Sequence, residues 1–248
     1  MKKIVIILLL LLSSLFANDI NIAVAANVSY AIDELKAEFA KSHPHIQVQV
    51  TLGSSGKLTA QINNGAPYGL FMSANMKYPE ALYKDSIAIA KPTVYAEGAL
   101  AYLTSKKQDF SLGIKLLESK NIQKIAIANP KTAPYGKATV EALKKSGIYE
   151  NVKSKFIYAQ SISQTVTYAI TAADIGVIAK SSLYSSKMKQ YKKNINWTDV
   201  DANLYMPIKQ GIVLLKTQKN NAQYKAFYDF ILSEKAKNIF KKYGYLVK

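Results

Sequence analysis

Four stretches of this 248-residue chain place small or polar residues where an extended run gives way to a helical pattern. They are Ala26-Asn27 before Val28, Ser54-Ser55 before Gly56, Tyr135-Gly136 before Lys137, and Ser161-Ile162 before Ser163. A helix start exposes up to about four backbone N–H groups that lack internal partners, and its dipole favours negative charge. Several starts aimed at one point make an anion site that needs no cation. Ser54 and Ser55 add hydroxyl donors, and Asn27 adds an amide donor. Taken singly, each junction is an ordinary cap or turn of the kind every α/β protein carries. Convergence would give them chemistry, and convergence depends on the elements that hold them.

Those elements alternate. Residues 18–26 (NDINIAVAA) read as a buried strand, and 28–42 as a helix with Ile32, Leu35 and Phe39 at helical spacing and Asn27 at its N-cap. Residues 45–52 alternate as a strand with Ile46, Val48, Val50 and Leu52 on one face. A short helix over 57–64, a strand over 69–74 and a Tyr/Leu-rich helix through Lys84 follow. The middle repeats this logic, with strands at 122–128, 156–159 and 175–179 and helices at 137–145 and 163–171. Helices at 222–232 and 234–243 close the chain. Strand and helix in alternation predict α/β units with mainly parallel sheets, whose ligands sit at the carboxyl ends of the strands beside the helix starts. The long extended segments 94–103 and 204–215 are placed to cross between two lobes. The expected division is 18–97 with 209–248 in lobe 1 and 98–208 in lobe 2. Residues 1–17 have a Lys-Lys start, an apolar run and a small-residue end, the layout of a secretory signal too short to span a bilayer.

Composition excludes several classes. The net charge is +17, yet all 33 basic residues are Lys. A nucleic-acid reader is expected to use Arg, whose planar fork makes bidentate contacts, and no Lys cluster is interleaved with aromatics in a binding motif. No nucleic-acid partner is expected, and the lysines read as a solvated surface whose field draws anions. The two histidines, His43 and His45, share one turn, and with no Cys a metal cation there lacks further ligands. No G-x-S-x-G elbow is present, and the GSSGKLT run fails the spacing of a phosphate loop. Neither an enzyme nor a cofactor is expected. The Tyr residues read as packing, and Trp197, the single Trp, lies in a loop-like segment.

The runs AVAANVSYAIDELKAEF, VTLGSSGKLTAQINNGAPYGLFMSAN, IANPKTAPYGKATVEAL, ADIGVIAKSSL and AFYDFILSEKAKNIFKKYGYLVK cover essentially the whole chain after residue 17. Together they resemble the periplasmic molybdate-binding proteins of bacterial ABC importers. The resemblance implies a two-lobed periplasmic-binding-protein fold with the ligand cleft between lobes, a monomer, periplasmic localisation, and a membrane permease as partner. It implies molybdate or tungstate as ligand, the metal entering as an oxyanion. It places the ligand shell at Ala26, Asn27, Ser54, Ser55, Tyr135 and Ile162. Asn27 and Ser55 would donate through side chain and backbone, and Tyr135 and Ile162 through backbone N–H. Sulfate or phosphate is the alternative cargo. The chain departs from the family at Gly69, where an Asp is usual, and at Ala179, where some members place a Tyr donor; Tyr135 or Asn27 is expected to compensate.

Overall fold

The computed structural model describes residues 18–247; the expected signal segment, 1–17, lies outside them. The chain forms two five-stranded sheets. β1 (Asn18–Ala25), β2 (Ile46–Gly53), β3 (Leu70–Met72), β4 (Thr93–Gly98) and, from far along the chain, β10 (Ile208–Leu214) make the first, in the order β2-β1-β3-β10-β4. β5 (Leu100–Leu103), β6 (Ile125–Ala128), β7 (Phe156–Ala159), β8 (Ile175–Ala179) and β9 (Trp197–Asp199) make the second, in the order β7-β6-β8-β5-β9. Each sheet pairs three adjacent strands in parallel and adds two antiparallel pairings, so four of its five strands share one direction. The sheets are thus mainly parallel in strand direction, and the single opposed strand of each, β10 in the first and β5 in the second, is the one that arrives from the other lobe.

The expected single strand over 94–103 is divided. β4 ends at Gly98 in the first sheet and β5 begins at Leu100 in the second. The crossing is thus one residue wide on that side. On the return, the chain leaves β9 at Asp199 and re-enters the first sheet at Ile208, which pairs with Gly98. Residues 202–204 form a 3-10 turn rather than extended chain. Trp197 lies on β9, its indole N–H donating to the Tyr191 carbonyl, and not in a loop.

Helices cover both faces of each sheet, as the alternating pattern requires. In the first lobe, Ile20, Ile22 and Val24 face a core with α1 (Ile32–Ala40), α7 (Ala222–Ile231) and α8 (Glu234–Lys242). On the other face Ala23, Phe71 and Val213 meet α2 (Ser55–Asn63) and α3 (Lys77–Lys84). β2 is an edge strand, so of its four apolar positions only Val48 is fully buried and Leu52 is exposed. In the second lobe α4 (Pro134–Lys145) packs on Ile125, Ile127 and Val177. The one-turn helix α5 (Tyr149–Val152) follows it, and α6 (Ile162–Thr171) covers Ala101, Leu103 and Ile178 from the other side. Among the described residues no helix is long and apolar enough to cross a membrane.

Candidate functional site

All four junctions lie at carboxyl ends of parallel strands, and the closed cleft brings them to one cavity. It is lined by Ala26, Asn27, Ser54 and Ser55 from the first lobe and by Tyr135 and Ile162 from the second. Ala25, Gly53, Ala74, Ala133 and Pro134 complete the wall. The cavity is compact, with a volume of about 10 Å³, and has no room for anything extended. Carboxylates, histidines and lysines are absent from this lining. Asp33 sits in the first turn of α1, and Asp174 accepts from the Gln123 and Lys124 backbones, away from the cavity.

Three helix starts differ from the pattern-based boundaries, each by beginning earlier, and the shift matters chemically. α2 begins at Ser55 rather than Lys57, with Ser54 as N-cap. α4 begins at Pro134 rather than Lys137, so Tyr135 and Gly136 are in its first turn. Proline there has no N–H to leave unpaired and its fixed φ suits the helix. α6 begins at Ile162 with Ser161 as N-cap. Ser55, Tyr135 and Ile162 therefore carry first-turn N–H groups that lack helical acceptors. The fourth junction is different: residues Ala26–Tyr30 form a 3-10 turn capped by Ala25, and α1 starts only at Ile32. Asn27 is not an N-cap.

Side-chain roles separate further. The Ser55 hydroxyl accepts from the Ala74 N–H at 2.9 Å, which leaves its own proton to donate. Ser54 Oγ is buried and has no partner among the described residues. Asn27 is fully buried; its Nδ2 donates to Gln210 Oε1 and to Tyr245 Oη, both at 2.9 Å, while its Oδ1 has no partner among the described residues. Gln210 Nε2 donates to Tyr135 Oη at 3.1 Å. The Tyr135 hydroxyl thus belongs to this network as an acceptor. Burial pushes the hydroxyls of Tyr135, Tyr95 and Tyr245 well above the ordinary tyrosine range, so all three stay protonated.

Sequence reasoning passed over Gln210, Tyr245, Tyr95 and Ser181. One signal was present for Gln210: it is the polar member of the inward series Ile208, Gln210, Ile212 on β10. Contacts that tie the lobes include Gly56 N–H to the Thr132 carbonyl at 2.9 Å, Ser181 Oγ to the Asn27 carbonyl at 3.1 Å and the Gln210–Tyr135 bond above. At the rim, exposed Lys57 donates to Gln160 Oε1 across the cleft. His43 stacks on Phe39 with ring centroids 4.4 Å apart, and the described residues contain no cluster of three or more His, Cys, Asp or Glu that could hold a metal ion.

Residues 20–246 match the family model described as bacterial extracellular solute-binding protein. The chain is 34% identical over 231 residues to the molybdate-binding protein ModA of Azotobacter vinelandii, covering 92% of this chain and 90% of that one. It is 34% identical over 234 residues to the protein of the same name from Rhodobacter capsulatus, covering 94% and 90%. The solved periplasmic molybdate-binding protein of A. vinelandii superposes with a TM-score of 0.83 at 31% identity, covering 92% of this chain and 99% of that one. Coverage at both ends of the comparison is nearly complete, so the likeness concerns whole proteins and includes both walls of the cleft. The chain belongs to the bacterial extracellular solute-binding proteins, in the molybdate-binding family that these relatives represent.

Proposed function

We propose that this protein captures molybdate, and tungstate with it, in the cavity between its lobes and delivers the anion to the membrane permease of an ABC importer from the periplasm. One observation carries the reading: four strand-to-helix junctions from both lobes close on a single compact cavity whose lining holds no charged side chain. A dianion entering that cavity loses its hydration, and several well-aimed hydrogen bonds must replace it. The first-turn N–H groups beside Ser55, Tyr135 and Ile162, the backbone at Ala26-Asn27 and the hydroxyls of Ser54 and Ser55 supply them. The metal stays inside its oxygens and meets no protein ligand.

Selectivity follows from the same donor set. A protonated phosphate brings an O–H that needs an acceptor, and an unpaired buried polar group is strongly penalised. Sulfate has the same charge and shape at smaller size, and donors spaced for a larger anion reach it poorly. Hinge motion at Gly98–Leu100 and along the return segment 200–207 would open the cleft and change the surface offered to the permease. Titration calorimetry of the whole protein with molybdate, tungstate, sulfate and phosphate tests the reading. Tight binding of the first two and weak binding of the others supports it; equal affinity for all four, or a preference for sulfate or phosphate, overturns it.

A further inference from the structure

Between the hinge and the anion cavity lies a buried polar network built around one amide. Gln210 Oε1 receives Asn27 Nδ2 at 2.9 Å and Tyr95 Oη at 2.7 Å, and Gln210 Nε2 donates to Tyr135 Oη. Gln210 is fully buried, and it touches one cavity residue from each lobe. A register shift places it there: Gln210 pairs with Ala96 and Gly211 with Val94, so β4 carries Tyr95 as an extra residue whose hydroxyl reaches Gln210. Bulges of this kind re-aim side chains. Gly98 leaves the space for it, since a Cβ there would lie 1.9 Å from Tyr135 Oη and 2.8 Å from Gln210 Nε2.

In this arrangement Asn27 Oδ1, an acceptor on a cavity-lining residue, is buried without a partner among the described residues. An acceptor edge is the wrong chemistry for an oxyanion. The oxygen and nitrogen of an amide are nearly equal in size, so a half-turn of both amides together keeps every heavy-atom contact. Gln210 Nε2 then donates to Asn27 Oδ1 and Tyr95 Oη, while Tyr95 Oη donates to the Ser73 carbonyl, 3.4 Å away. Tyr135 Oη donates to Gln210 Oε1, and Tyr245 Oη moves its proton from the Asn27 carbonyl, 2.8 Å away, to Asn27 Oδ1. Ser181 Oγ continues to satisfy the Asn27 carbonyl. No acceptor is left unpaired, and Asn27 Nδ2 becomes free to donate into the cavity.

We propose that Gln210 is a positioning residue for the anion shell: its amide turns with that of Asn27 so that the Asn27 N–H₂ edge, not its oxygen, faces the bound guest. The role extends the oxyanion-binding reading above and rests on it. Gln210 never touches the anion; it sets what Asn27 presents and registers Asn27 against Tyr135 across the cleft.

The test compares wild type, Gln210→Met and Tyr135→Phe by titration calorimetry with molybdate, tungstate, sulfate and phosphate, alongside NMR of the Asn27 side-chain amide. Removing the Gln210 amide is expected to weaken the tightest fully deprotonated anion by about tenfold or more, the scale of one hydrogen bond to a charged group. Phosphate, which carries a proton, should lose less, so the ratio of the two affinities narrows. Tyr135→Phe should narrow it in the same direction by a smaller factor. In wild type the Asn27 N–H₂ resonances should shift on anion binding, and in Gln210→Met they should not. Equal losses for all four anions, or Asn27 resonances unmoved in wild type, overturn the proposal. The wild-type NMR result decides it even if Gln210→Met fails to fold. A wild type that prefers sulfate sinks the molybdate reading but leaves this test readable with sulfate as reference; a wild type that binds none of the four overturns both.

Discussion

The starts of α2 and α6 face each other across the cleft with the same local plan, a serine N-cap at the end of a strand, yet they use that serine in opposite ways. Ser161 Oγ accepts from the Gln164 N–H and closes its own helix. Ser54 makes no such bond, and its hydroxyl is buried and unpartnered among the described residues. The difference lies three residues on. Ser161 is followed by Gln164, the S-x-x-Q pattern of a capping box, and Gln164 Oε1 reaches back to the Gln160 N–H. Ser54 is followed by Lys57, whose ammonium points to the rim and Gln160. The Ser161 hydroxyl is spent on its own helix, and the Ser54 hydroxyl keeps its proton for another acceptor. The second lobe therefore offers the cavity backbone only, while the first offers hydroxyls as well.

Substitutions at the three serines break this comparison in graded steps. Ser55→Ala should have the largest effect, removing both the hydroxyl proposed to donate to the anion and the acceptor for the Ala74 N–H. Calorimetry should show molybdate affinity falling by roughly thirtyfold, about 2 kcal/mol for a charge-assisted bond, with some loss of unliganded stability. Ser54→Ala comes next, with affinity falling about tenfold. Its unliganded melting temperature should hold or rise, because a buried hydroxyl without a partner is removed. Ser161→Ala should reverse that pattern. Loss of the cap costs about 1 kcal/mol, a fall of about 2–4 °C in melting temperature for a chain of this size, with affinity changed less than about threefold.

The smallest effect concerns the tyrosine floor between the two helix starts. Tyr95, Tyr135 and Tyr245 have folded-state pKa values raised by burial, and Tyr30 is pushed up to about 12 by the same cause. Their ordinary value is about 10. Below that pH both folded and unfolded chains keep these protons, and stability does not depend on them. Above it the unfolded chain releases protons that the folded chain retains, so stability falls as pH rises. Chemical denaturation of the unliganded protein should show no tyrosine-linked change through neutral pH and a decline beginning near about pH 10. Tyr135→Phe should make that decline shallower; an unchanged slope would mean that Tyr135 is solvated.

Much of this architecture is legible along the chain. The alternation of IQVQVTL, the buried run IAIA and the helical spacing of Ile32, Leu35 and Phe39 each state a local period, and local period decides strand or helix. The early helix starts were harder to read. Ser55 and Gly56 favour turns as isolated residues, and Tyr135-Gly136 looks like a break; in each case the first turn is stabilised by what lies around it. Glycine is needed at 136 because a Cβ there would meet the Ala128 carbonyl at 2.0 Å, a close approach of helix start to strand end that periodicity does not express. The division of 94–103 at Ala99 is of the same kind, since both halves read as extended and it is their partners in two different sheets that separate them.

By itself the sequence determined the α/β class, the four donor-rich junctions and the absence of arginine and cysteine, because each of these depends on composition or on neighbours within a few residues. Tertiary structure alone decided that the junctions share one cavity, that Ala26–Tyr30 is a 3-10 turn with Asn27 buried in it, and that Gln210 links Asn27 to Tyr135. Those residues stand 183 and 75 positions from Gln210 along the chain. Contacts over such separations are set by sheet order and by how two lobes close, and hydrogen bonds as directional as these exist only once both are in place.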